Sequence, residues 1–153
     1  MKIAIFSDSH GQVGRMAAAV ERERPDRVFF LGDNLRDGQA LAGRYPSLPM
    51  DVLRGNCDWE AGPDELLVEV EGARFLLVHG HLQRAKSGLD GLMAAGRQAG
   101  VDMVCFGHTH QGLNLPAGAG PWLFNPGTAG GVRERPGYGV VEVESGKLSA
   151  WLK

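Results

Sequence analysis

Cysteine is scarce in this sequence: Cys57 and Cys105 stand alone among 153 residues. Two thiols cannot staple a small secreted scaffold, so a disulfide framework is excluded and a reducing compartment, the cytoplasm, is expected. Cys105, inside the apolar run "DMVCF", reads as a small buried hydrophobe. Long hydrophobic runs are missing too. The N-terminal "MKIAIFSDSH" holds only Ile3 to Phe6 before it meets Asp8, too short for the core of a signal peptide or for a membrane span. Neither charge dominates: 16 basic against 18 acidic residues leave a net charge of −2 and a pI near 6.2. That balance gives no electrostatic footprint for nucleic acid or a membrane surface. Repeats, low-complexity tracts and linkers are also absent. A soluble single domain over residues 1–153 is expected, and 43% apolar residues suffice for a core without staples.

What is present is an alternation of short apolar runs and helical patterns. Lys2 to Ser7 reads as a buried strand ending in "DSHG", and Gln12 to Glu23 carries Val13, Met16, Ala17 and Val20 at helical spacing. "RVFFLGDN" reads as a second strand, "DGQALAGRY" as a short helix and "DVLRGNCD" as a third strand. From Glu65 onward, "ELLVEVEGARFLLVHGH" suits a hairpin around Glu71-Gly72. Gly88 to Ala99 is a helix of weak propensity, "DMVCFGHTH" another strand and loop. The segments "GLNLPAGAGPWLF" and "GYGVVEVESGKLSAWLK" close the chain as hairpins. Alternating βα units followed by hairpins imply a layered α/β sandwich, with the hairpins forming a second sheet or extending the first.

The histidines are few and they are not scattered. All five (His10, His79, His81, His108, His110) lie in loops that end apolar runs, among the strings "SDSH", "LGDN", "RGNCD", "VHGH" and "FGHTH". Taken singly, each string has a plain reading. Asp8-x-His10 is a turn or helix cap, Asp33 is turn chemistry, Asn56 a turn residue, and His79 either a core histidine or a ligand. Ligands in open α/β sheets bind beyond the carboxyl ends of strands, and five such loops can converge at one sheet edge. Together they point to a metal site. Imidazole suits transition ions such as zinc, manganese, nickel and iron, and carboxylate suits harder ions such as magnesium and manganese. The mixed set argues against a structural zinc finger. Two ions roughly 3.5–4 Å apart, sharing a carboxylate, would clamp a phosphoryl displacement.

The ordered blocks "DSH" (8–10), "GD" (32–33), "GNCD" (55–58), "HGH" (79–81) and "GHTH" (107–110) resemble those of the calcineurin-like metallophosphoesterase family. With "NPGT" (125–128), they are most similar to its compact bacterial and archaeal phosphodiesterases, relatives of the retromer subunit. The resemblance covers about residues 1–143 and implies a four-layer αββα sandwich of two mixed sheets flanked by helices. It further implies that Asp8, His10 and His110 hold one divalent ion and Asn56, His79 and His108 the other, with Asp33 bridging. Manganese is the foremost candidate, with nickel, zinc, iron or magnesium as others. A hydroxide bridging the two ions would then attack the phosphorus of a small phosphodiester, with no phospho-enzyme formed.

One position departs from the wider family, which often carries a histidine after Gly-Asn to assist the leaving group. Here it is Cys57, a thiol with an ordinary pKa of about 8.5 and a poorer donor. His81 is then the spare candidate acid, or else a hydrogen-bond partner of the ligands. Asp58 is expected to orient a neighbour, and Arg133 and Arg135 either grip an anion or stay solvated. The expected activity is phosphodiester hydrolysis. Alternatives are phosphomonoester hydrolysis, or a protein-binding scaffold of the same fold that would show an exposed apolar patch. The resemblance also points to a homo-oligomer.

Overall fold

Strand residues that are apolar on both faces have to be covered on both faces, and β1 (Lys2–Phe6) shows how. In the computed structural model, which describes residues 1–153, Ile3 and Ile5 point into one core while Ala4 and Phe6 point into another. β2 (Arg27–Phe30) repeats the division, with Phe29 on the first side and Val28 and Phe30 on the second. These strands run parallel, β3 (Met50–Val52) adds parallel to β2, and the hairpin β9 (Gly139–Glu144) and β10 (Lys147–Leu152) extends the other edge. The sheet order is β10-β9-β1-β2-β3.

The second sheet starts with the hairpin β4 (Glu65–Val70) and β5 (Ala73–Val78), continues in parallel through β6 (Met103–Cys105) and β8 (Trp122–Asn125), and ends in antiparallel β7 (Leu113–Leu115). Its order is β4-β5-β6-β8-β7. Phe75, Leu77, Met103, Cys105 and Phe124 face the first sheet and meet Ile3, Ile5, Phe29 and Val141 there. Phe29 and Phe75 lock the two sheets edge to face, with ring centroids 5.5 Å apart. Truncating either to alanine would cost about 3–5 kcal/mol.

Helices close both outer faces. α1 (Val13–Glu23) and α2 (Leu35–Arg44) set Met16, Ala17, Val20 and Leu41 on Ala4, Phe6, Val28 and Phe30. α3 (Asp90–Ala99) sets Leu92 on Leu76, Val78, Val104 and Phe106. The layering is helices, sheet, sheet, helix, so the expected αββα sandwich is the observed one. Gly96 explains why α3 tolerates its poor propensity: a Cβ there would meet Val104 Cγ2 at 2.5 Å and Pro121 Cγ at 2.6 Å. The glycine lets the helix lie close to the sheet.

The structure changes three details of the sequence reading. α2 begins at Leu35, two residues before the expected Asp37, because a carboxylate distant in sequence caps it (below). α3 begins at Asp90 rather than Gly88, after a single 3-10 turn at Ala85–Ser87. The five histidine and carboxylate loops do not share one sheet edge. Three follow β1, β2 and β3 and two follow β5 and β6, so the loops meet where the two sheets' carboxyl ends come together. No helix is long and apolar enough to cross a membrane.

Candidate metal centre

The loops after β1, β2 and β6 leave their strands through backbone turns that few residues favour. Asp8, His10, Asp33, His108 and His110 all have positive φ, between 45° and 66°. Asp, Asn and His tolerate this region better than most residues, at a cost of about 1–3 kcal/mol each when imposed by the fold. The neighbouring glycines are there for room. A Cβ on Gly107 would collide with Ser7 Oγ and Asp8 Oδ2, and one on Gly55 with Asp33 Oδ1.

Asp8 is fully buried. Its Oδ2 accepts from Ser7 Oγ at 2.6 Å and from the His108 N–H at 3.1 Å, while Oδ1 has no hydrogen-bond partner. His79 is equally buried. Its Nδ1 lies 2.8 Å from the Leu31 carbonyl oxygen, and a carbonyl only accepts, so Nδ1 carries the proton. The lone pair on Nε2 is thereby turned inward, unpartnered, 3.5 Å from Asp33 Oδ1 and 4.0 Å from Asp8 Oδ1. Asp33 Oδ1 accepts from the Cys57 N–H at 3.0 Å. His10 Nε2 is buried without a partner, and His110 Nε2 stands 3.0 Å from Asp8 Oδ1.

Two groups of ligand atoms result, each within 4.8 Å: Asp8, His10 and His110, and Asp8, Asp33 and His79. Asp8 belongs to both groups, and Asp33, the bridging ligand that the resemblance implies, belongs to the second. His108 lies beside the second group, its ring 5.1 Å from that of His79, and His81 packs 5.6 Å from His79 and 6.1 Å from His108. Asn56 is exposed in its turn, with Nδ2 3.5 Å from Cys57 Sγ. Orphaned, buried acceptors drawn from carboxylates and imidazoles are the donor set a divalent cation requires.

Burial and the neighbouring charges pull the groups of the site in different directions. Burial pushes the Asp8 carboxyl up, against the pull of His79, Ser7 and His110. Burial opposes ionisation of Asp33 as well, but the His79 ring and the Cys57 N–H outweigh it and hold that carboxyl far below its usual range. His79 is raised despite burial, by Asp33 and Asp8. His108 is pushed down to about 4 by burial and then by His79 and Lys86, and burial followed by His79 lowers His81. The Cys57 thiol, though exposed, is pushed up by desolvation and by Asp33.

Several side chains that brace the loops carried little signal in the sequence. Asp58 accepts four backbone N–H groups, from Asp33, Asn34, Leu35 and Gly55, at 2.8–3.1 Å. It caps α2 and ties two site loops together, the orienting role expected of it. Asp37 accepts from Ser9 Oγ and the Gly11 N–H, both at 2.7 Å. Asn125 donates to the Gly107 carbonyl and Thr128 to the Asp8 carbonyl, so "NPGT" bolts the loops after β1 and β6 to one another. Arg133 and Arg135 are exposed, whereas Glu134 between them turns its Oε2 inward, 3.6 Å from His110 Nδ1. The arginines drew attention in the sequence; the residue that faces the site is the glutamate.

The profile of the calcineurin-like phosphoesterase superfamily domain matches residues 1–146. The chain belongs to that superfamily. A probable metallophosphoesterase of Bacillus subtilis, YsnB, is 32% identical over 151 residues, 95% of this chain and 86% of the relative. Among solved structures, a single mutant of Vps29 from Entamoeba histolytica superposes with a TM-score of 0.82 at 21% identity, over 99% of this chain and 91% of the other. An archaeal phosphodiesterase superposes with a TM-score of 0.75 at 24% identity, over the whole of both chains. Those two likenesses concern the fold. Calcineurin-like phosphoesterases use divalent metals, and in this phosphoesterase the two groups around Asp8 are the candidate ligands.

Proposed function

We propose that this phosphoesterase hydrolyses small phosphodiesters with two divalent ions, manganese foremost. The observation that carries the reading is the set of buried, unpartnered acceptors Asp8 Oδ1, His10 Nε2 and His79 Nε2. Left empty, such groups cost about 1–3 kcal/mol each, and here they converge. Asp8, His10 and His110 would hold one ion. Asp33 and His79 would hold the second, joined by Asn56 and His108 as the loop strings imply. Ions in these places supply Lewis-acid polarisation of a phosphoryl group and a lowered pKa for water.

The protein's own groups set up that chemistry. Leu31 fixes the His79 tautomer, while Ser7 and the His108 N–H hold one oxygen of Asp8 so that only the other is presented. We assign His81 and Cys57 to the leaving group. Burial lowers His81, which leaves less imidazolium to donate a proton, and raises Cys57, which makes its thiol a weaker acid, so the departing oxygen leaves largely on its own acidity. Arg133 and Arg135 lie out in solvent, so neither guanidinium is placed to take the second negative charge of a monoester. The two free thiols are consistent with a cytoplasmic protein.

The test is a panel of phosphodiesters and phosphomonoesters on metal-stripped protein with manganese, nickel, zinc and magnesium. Manganese-dependent turnover favouring diesters is expected; full activity after exhaustive chelation, or a monoester preference, would overturn the reading. A protein-binding scaffold is the second reading, favoured by the exposure of Trp59 (97%), Val132 (68%) and Leu82 (63%), each a few residues beyond a site loop. Two bound ions with no turnover across the panel would select it.

A further inference from the structure

We infer that Glu134 is a positioning residue for the half-exposed ligand group, fixing the His110 ring so that Nε2 is the atom offered to the ion. This rests on the metal-dependent reading above. His110 stands between two carboxylates, with Nε2 3.0 Å from Asp8 Oδ1 and Nδ1 3.6 Å from Glu134 Oε2. Glu134 Oε2 is a buried atom with no hydrogen bond, although its chain neighbours are two exposed arginines. A carboxylate with guanidinium groups on either side that nevertheless faces an imidazole is held there by the path of the backbone.

That path is tightly specified. Gly130 N–H donates to the Asp8 carbonyl at 3.0 Å, and Arg15 Nη1 donates to the Gly130 carbonyl at 2.7 Å. A Cβ on Gly130 would meet His10 Cβ and Cδ2 at 2.9 Å, so only glycine lets the loop cross this close to the ligands. Gly131, at φ +62°, then turns the chain so that Glu134 arrives over His110, whose ring lies 5.2 Å from that of His10.

The chemistry follows from the imidazole's single proton. A carboxylate facing Nδ1 favours the proton there and the lone pair on Nε2, against the pull of Asp8 Oδ1 on the other side of the ring. Without that carboxylate the other tautomer competes, with Nε2–H pointing at Asp8 and the ligand atom blocked. His79 has the Leu31 carbonyl at 2.8 Å for this purpose, and Glu134, at 3.6 Å and beyond hydrogen-bond length, acts on His110 through its negative charge.

The experiment is calorimetric titration of manganese alone into metal-stripped wild type, Glu134→Gln and Glu134→Ala. The alanine variant should bind one of two ions about 10–100-fold more weakly and the other unchanged. Glutamine, which keeps an acceptor without the charge, should recover part of the loss. Metal-free melting temperatures of both variants should match wild type, and saturating manganese should restore the alanine variant's turnover. An alanine isotherm superimposable on wild type overturns the inference, as does equal weakening of both ions or a matching fall in metal-free melting temperature. If wild type binds no ion, the metal-dependent reading itself fails and takes this inference with it. If wild type binds two and the variant is unchanged, only the role of Glu134 is lost.

Discussion

The two ligand groups share Asp8 and differ in nearly everything around it. At His79 the support is buried and comes from the backbone: the Leu31 carbonyl on the ring, the Cys57 N–H on Asp33, the His108 N–H on Asp8. At His110 it comes from a surface loop, and the side chain is 27% exposed where that of His79 is 0%. The same imidazole and carboxylate chemistry is thus set once around a buried histidine and once around a partly exposed one. One ion should be held as part of the structure. The other should exchange and be met first by substrate.

The largest expected effect is removal of metal. A chelator titration should abolish turnover and extract the ions in two stages, the one at His10 and His110 first. Simultaneous release would erase the distinction between the groups. Next come the carboxylates. Asp8→Asn removes charge from both groups, and Lewis-acid stabilisation worth several kcal/mol corresponds to a loss of roughly 10³-fold or more in kcat/KM. Asp33→Asn is expected to cost more than His10→Ala. Metal content measured beside the rates decides which carboxylate is shared: an Asp33→Asn protein that keeps the outer ion assigns the bridge to Asp8.

Stability separates the groups more gently. His79→Ala leaves the Leu31 carbonyl without its donor and should cost the metal-free protein about 1–3 kcal/mol. His10→Ala, at a half-exposed position, should cost less than about 0.5 kcal/mol. Equal shifts in denaturant midpoint would contradict this difference between the groups. The smallest effect belongs to Cys57. Cys57→Ser should change aryl diester turnover by less than about threefold, because a thiol pushed up in pKa is a weak donor. Aryl diesters should outpace alkyl ones, and Cys57→His should narrow that gap. A histidine that left the aryl-to-alkyl ratio unchanged would show that this position does not face the leaving oxygen.

Most of the frame was legible because β1, β2, β5 and β6 are covered on both faces and so read as unbroken apolar runs. The loop strings were legible because all five histidines fall in or beside them. What stayed hidden is what distance in sequence conceals. The start of α2 at Leu35 is set by Asp58, more than twenty residues on, and no local pattern announces that cap. The meeting of two sheet edges depends on how the sheets stack. Glu134, between two arginines, carried no signal of its own, and its inward turn depends on Gly130 approaching His10, a contact between segments 120 residues apart.

The two thiols, opposite in environment, make the protein easy to report on. Cys105 is sealed in the inter-sheet core and held protonated by burial, while Cys57 is exposed and its own N–H meets Asp33. A thiol-selective reagent applied to the folded protein therefore finds one accessible cysteine, and a dye attached there sits one residue from Asn56. Its emission would follow loading and release of the inner ion in real time, without any substitution in the chain.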